Sequence, residues 1–199
     1  GVEPSYDKLL QLCLFKELIS AKFNRDLRFI SGGTSITLPL IQQGHLPKDV
    51  NHFRIGEAVF FGISPFDNKP FIGLATDTFE FSANIIELEE KNTVPDGSIS
   101  EGNIGHTADY DENKTTDVSF KAILDFGLLD VDQADIEFIE SGMSFVGITS
   151  DMIVVDIGLN KTADGQTRYK VGDKIRFKPS YMAVARLLNS KFIDTIFEQ

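Results

Sequence analysis

The chain has no tryptophan and a single cysteine, Cys13, among its 199 residues. A lone thiol excludes an intrachain disulfide framework, and a chain this long buries enough surface to fold without one. No apolar run reaches the roughly eighteen residues a membrane helix needs, and the first residues show no signal-peptide pattern, so neither membrane insertion nor secretion is expected and a cytoplasmic location follows. The three histidines, His45, His52 and His106, lack metal-ligand spacing, so no metal is expected. Basic residues number 19 against 30 acidic ones, and the net charge of -11 argues against a nucleic-acid surface. Phenylalanine is plentiful: 17 residues, within a composition that is 42% hydrophobic, predict a folded protein with a Phe-dominated core.

Most of the acidic excess lies between Asp77 and Glu140, which divides the chain into two segments of different character. In the first, Leu9, Leu10, Leu12, Cys13, Leu14, Leu18 and Ile19 recur at helical spacing and predict a helix from Ser5 to Phe23. A short apolar run, Leu27–Ile30, predicts a strand that meets a Gly-rich turn, Ser31–Ser35. Ile36, Leu38, Leu40 and Ile41 then suit a short helix closed by Gly44. The run Ala58–Ile63 has almost no polar alternation, as in parallel strands buried on both faces, and predicts a second strand. Helix, strand, helix, strand is a piece of an α/β architecture.

From Phe71 the runs become β-branched or alternating: Phe79–Leu88, Ser119–Phe126, Ser144–Ile148, Met152–Ile157 and Tyr169–Phe177 predict an antiparallel sheet or barrel. Pro179 precedes a helical pattern over Ser180–Leu188. The fold class expected is therefore α/β followed by β, with a short C-terminal helix.

Local chemistry is sparse. Gly32-Gly33-Thr34-Ser35 opens a helix, where backbone N–H groups and two hydroxyls can hold a phosphate, although the same pattern also serves as a plain turn. Arg54 stands at a strand start, either as a functional cation or as the partner of Asp49 or Glu57 in a salt bridge.

Two runs in order, Ser31-Gly-Gly-Thr-Ser-Ile-Thr-Leu-Pro-Leu-Ile41 and Asn51-His-Phe-Arg-Ile-Gly-Glu-Ala-Val-Phe-Phe-Gly62, resemble barrel strands seven and eight of the alanine racemase family, fold-type III pyridoxal-phosphate enzymes, in its ornithine racemase-like branch. The resemblance continues through Ile148–Asp156, Tyr169–Lys174 and Pro179–Ala185, nearly the whole chain. It implies residues 1–70 as the end of a cofactor-binding (β/α)8 barrel and 71–199 as the C-terminal β-domain of an amino-acid racemase, an isomerase acting on an amino-acid substrate as a homodimer. It implies cofactor-binding roles for Thr34, Ser35, Gly56, Glu57 and Tyr181 at the phosphate of pyridoxal phosphate, and for Arg54 at the pyridine nitrogen.

The family's Schiff-base lysine belongs to the first barrel strand, and this sequence resembles the family only from a late barrel helix onward. The isolated chain is therefore expected to be inactive and to hold no cofactor covalently, whereas the full-length protein binds pyridoxal phosphate. For the second catalytic base the sequence offers Glu101, His106, Asp109 and Tyr110. Leu128 stands where the family has a pocket tyrosine, and Ser150, beside Asp151, where it has a substrate-carboxylate methionine. These changes imply a substrate other than alanine, and Asp130 is a candidate partner for the second ammonium of a basic amino acid. The alternative from another class is a non-catalytic β-barrel binding module with an accessory α/β layer.

Overall fold

A computed structural model describes residues 6–71, 73–93 and 118–198, and the chain divides into two compact units, Gly1–Thr78 and Phe79–Gln199. In the first unit, α1 (Tyr6–Phe23) follows the predicted helix and buries Leu9 and Cys13. These pack with Ile30 and Val50 into a small core. The strands differ from expectation. β1 is Ser31–Thr34 rather than Leu27–Ile30, and it pairs in parallel with β2, His52–Arg54. The preceding Arg28–Ile30 backbone is instead held by Asn51, whose Oδ1 accepts from Ile30 N at 3.0 Å and whose Nδ2 donates to the Arg28 carbonyl at 3.0 Å. After β1 come a 3-10 turn, Ser35–Thr37, and α2, Leu38–Gln42.

The predicted strand Ala58–Ile63 is a helix over most of its length: α3 spans Glu57–Phe61. A short continuous apolar run does not distinguish a buried strand from a buried helical turn, and the flanking glycines decide it. Gly56 caps α3, and Gly62 ends it in the left-handed region at φ 64, where a Cβ would stand 2.0 Å from the Ala75 carbonyl oxygen.

The second unit is a six-stranded antiparallel sheet among the described residues, in the order β5-β8-β3-β4-β7-β6. Its strands are β3 (Phe81–Asn92), β4 (Val118–Leu124), β5 (Ile136–Phe138), β6 (Ser144–Ile148), β7 (Ile153–Asp156) and β8 (Lys174–Pro179). Alternation sets one face inward: Ile175, Phe177 and Pro179 of β8 are buried while Lys174, Arg176 and Lys178 are exposed. β8 starts five residues later than the run from Tyr169 suggests, because Gly172 at φ 91 turns the chain and hands its N–H to the Ile85 carbonyl at 2.8 Å. Three-residue β5 carries no pattern of its own and forms only as an edge partner of β8. Ser180 accepts from Ala183 N at 3.2 Å and so caps α4, Tyr181–Leu187, as expected. No helix among the described residues is long and apolar enough to cross a membrane.

The two units differ in how much apolar surface they bury. α1 leaves Leu14, Phe15, Leu18 and Phe23 about 60% exposed, whereas Leu124, Ile153, Val155, Ile175 and Phe177 of the sheet are fully buried. Each large side chain left in water forfeits roughly 1.5–3 kcal/mol relative to burial. Amide hydrogen exchange is therefore expected to be faster throughout α1 than in β3, β4 and β8 of the isolated chain. Equal protection in both units would show that residues 6–71 are self-sufficient.

Candidate functional site

The first cluster grows out of two tight glycines. An added Cβ at Gly32 would stand 2.0 Å from Val50 Cγ1, and one at Gly33, whose φ is 150, would stand 1.9 Å from Thr37 Oγ1, so glycine alone allows this close approach. The approach places Thr34 and Ser35 at the C-terminal end of β1, directly beside Arg54 at the C-terminal end of β2 through the register pair Thr34↔Arg54. Ser35, 4% exposed, accepts through Oγ a hydrogen bond from the Ala58 N–H of α3 at 3.2 Å. Gly56 and Glu57 lie just before that N–H. Their own N–H groups meet no protein acceptor among the described residues, and nothing stands within 4 Å of an ideal Cβ on Gly56. Arg54 is exposed and forms no ion pair with Asp49 or Glu57. Hydroxyl and N–H donors thus converge beside an open space, a set that fits a phosphate monoester, and the neighbouring Arg54 guanidinium has no ion-pair partner among the described residues. The contribution of Ala58 N–H was not legible in the sequence, since the run containing it reads as a strand.

The second cluster lies in the β-sheet unit. Leu128 and Ser150, 22 positions apart in number, are brought together because Leu128 N donates to the Thr149 carbonyl at 2.9 Å and Leu129 N to the Ser150 carbonyl at 3.0 Å. Gly127 makes this possible: a Cβ there would meet Asp151 N at 2.4 Å and the Ser150 carbonyl carbon at 2.5 Å. Ser150 and Asp151 are exposed, and Asp151 Oδ1 accepts from Ser150 Oγ at 3.1 Å.

Asp130 does not stand ready for a substrate ammonium. It is 9% exposed and both of its oxygens are engaged, Oδ2 by Gly127 N at 3.3 Å and Oδ1 by Ser190 Oγ at 2.9 Å. Tyr181 opens α4 and is 45% exposed. Glu101, His106, Asp109 and Tyr110 lie outside the described residues. Among the described residues no His, Cys, Asp and Glu side chains cluster as metal ligands.

No family model matches the chain. Sequence comparison finds an ornithine racemase of Acetoanaerobium sticklandii, 32% identical over 98% of this chain and 53% of its own length. The chain is related to the fold-type III amino-acid racemases. A lysine racemase of Thermotoga maritima is 28% identical over 100% of the chain and again 53% of its own length. The chain therefore spans about half the length of these curated racemases. In fold it is similar to the alanine racemase of Oenococcus oeni, with a TM-score of 0.51 at 18% identity, covering 86% of this chain and 44% of that one. The expected antiparallel β-domain with a short C-terminal helix is present, and the fold is shared with that racemase.

Proposed function

We propose that the chain is the C-terminal half of a pyridoxal-phosphate-dependent racemase that acts on a diamino acid, and that its first unit holds the phosphate end of the cofactor. The observation that carries this reading is the convergence of Thr34, Ser35, Gly56 and Glu57 at the C-terminal ends of two parallel strands, where barrel enzymes place their sites. Ser35 Oγ takes its hydrogen bond from Ala58 N–H, which leaves the hydroxyl proton to donate to a phosphate oxygen. The N–H groups of Gly56 and Glu57 add donors.

When bound, pyridoxal phosphate supplies an electron-withdrawing ring that acidifies the α-proton of an amino acid. Arg54, always charged, would hold the ring-nitrogen end of the group and, by keeping its proton, would moderate that withdrawal. Leu128, Ser150 and Asp151 line the substrate side, and the exposed carboxylate of Asp151 suits a distal ammonium of the kind that ornithine and lysine carry. Glu101, His106, Asp109 and Tyr110 are the candidates for the second base in a homodimeric enzyme. No lysine of this chain matches the Schiff-base position, so the chain by itself is inactive.

Titration of the intact polypeptide with pyridoxal phosphate and with pyridoxal tests the cradle. The phosphate should raise affinity at least about tenfold, and Ser35→Ala should remove much of that gain, the size expected for losing a charge-assisted hydrogen bond. Equal affinity for the two compounds would overturn the cradle. In the isolated chain, borohydride should trap no site-specific cofactor adduct; one stoichiometric reduced lysine would overturn the assignment of that lysine elsewhere.

A further inference from the structure

The sheet unit contains a buried carboxylate that the proposed chemistry leaves without a role. Asp130 accepts from Gly127 N–H and from the Ser190 hydroxyl, and it is buried together with the turn it closes. That turn is compact: Asp130 N and Val131 N both donate to the Gly127 carbonyl, at 3.0 and 3.1 Å. Its outer edge is Leu128 and Leu129, whose N–H groups dock on the Thr149 and Ser150 carbonyls. Gly127 has no room to shift toward Ser150 and Asp151, so the turn is pressed onto them from one side and held by Asp130 from the other. On the far side, Ser190 follows α4 directly, donating its N–H to the Leu187 carbonyl at 3.1 Å and accepting Phe192 N–H at 3.2 Å. The carboxylate thus ties the turn carrying Leu128 to the segment after the C-terminal helix, and the turn's own N–H groups dock on the loop carrying Ser150.

We propose that Asp130 is a positioning residue: by tying the Gly127–Leu129 turn to Ser190, it fixes Leu128 against Ser150 and so sets the width of the substrate-facing strip. The proposal rests on the reading of Leu128 and Ser150 as substrate-facing. A buried side chain engaged at both of its polar atoms holds a backbone turn in place, because releasing it would leave buried donors unpaired. Misplacing a binding strip by about an ångström is enough to weaken substrate capture markedly.

Two measurements test it. In the isolated chain, Asp130→Ala should speed amide exchange at Leu128 and Leu129 by about tenfold or more while the core amides of Ala122 and Ile175 keep their protection. Asp130→Asn should restore most of the protection, since its amide oxygen still accepts from Gly127 N–H and its NH2 can donate to Ser190 Oγ. If Asp130→Ala fails to fold, Ser190→Ala, which removes one of the two hydrogen bonds, decides the matter by the same readout. Unchanged exchange at both amides would overturn the clamp. In the intact racemase, Asp130→Ala should raise KM for ornithine roughly three- to tenfold with little loss of kcat, and Asp130→Asn should largely reverse it. Opened amides with an unchanged KM would overturn the positioning role. Absence of diamino-acid racemisation by the unaltered intact protein would sink the functional reading instead, and the exchange experiment keeps these two failures distinct.

Discussion

Phe177→Ala is expected to cost the β-sheet unit about 3–5 kcal/mol, the range for truncating a buried aromatic, because the ring is fully buried within a cluster of phenylalanines. Its neighbours come from four other segments. The Phe177 ring centroid lies 5.8 Å from Phe81 of β3, 5.7 Å from Phe126, 5.1 Å from Phe138 of β5 and 6.2 Å from Phe145 of β6. Removing it opens a cavity that none of these can fill, since Phe81 and Phe138 are themselves fixed in register opposite Phe177. A loss of that size is a large fraction of the roughly 5–15 kcal/mol that holds a typical domain folded. Urea denaturation should show a lower midpoint with an unchanged slope, and Leu159→Ala, at a residue 70% exposed, should move the midpoint hardly at all. A Phe177→Ala midpoint matching that of the parent would show that the aromatic cluster is not the centre of the core.

Acid should weaken the same sheet through Asp156. Its Oδ2 accepts from Lys121 Nζ at 2.5 Å and from Ser119 Oγ at 2.9 Å, and its Oδ1 accepts from Gly158 N at 2.8 Å. Burial pushes its pKa up, but the hydrogen bonds from Lys121, Gly158 and Ser119, together with the Lys121 charge, outweigh burial and hold the carboxyl below its usual value. A carboxylate depressed in the folded state contributes stability that is present above its unfolded pKa of about 3.9 and is lost as pH falls through the folded value. The contribution of this group should therefore be level from neutral pH down to about 5, then decline in the acid range.

Asp156→Asn should abolish that part of the acid dependence. It should also lower stability at neutral pH by about 2–4 kcal/mol, because Lys121, 8% exposed, keeps a charge whose partner is gone. Replacing both groups together, Lys121→Met with Asp156→Leu, should recover most of the loss, since a well-packed apolar pair avoids the cost of burying two charges. Thermal melts of the three proteins between pH 3 and 7 check this; a single variant as stable as the parent would mean that the pair is already hydrated.

The elements most legible in the sequence are those whose pattern is local. α1 and α4 carry their own helical periodicity, Ser180 announces its cap, and β3, β4, β6 and β7 show through their β-branched or alternating runs because each has one wet face and one dry face. The ordered motifs from Ser31 to Gly62 and from Ile148 to Ala185 likewise pointed to the racemases through identity alone, without any geometry.

Tertiary structure decided what local pattern leaves degenerate. Whether Ala58–Phe61 is strand or helix depends on Gly56, on Gly62 wedged against Ala75, and on a hydrogen bond to Ser35, 23 residues away. The first strand begins at Ser31 because Asn51 holds Arg28–Ile30 and His52 opens the pairing, both from across a helix and a loop. Asp130 reads as one more acidic residue in an acidic chain, and only the fold shows it buried between Gly127 and Ser190. Periodicity reports which face of an element is apolar, but a close approach of backbones or a carboxylate with both oxygens engaged is a property of residues far apart in the chain, and it exists only once the chain has brought them together.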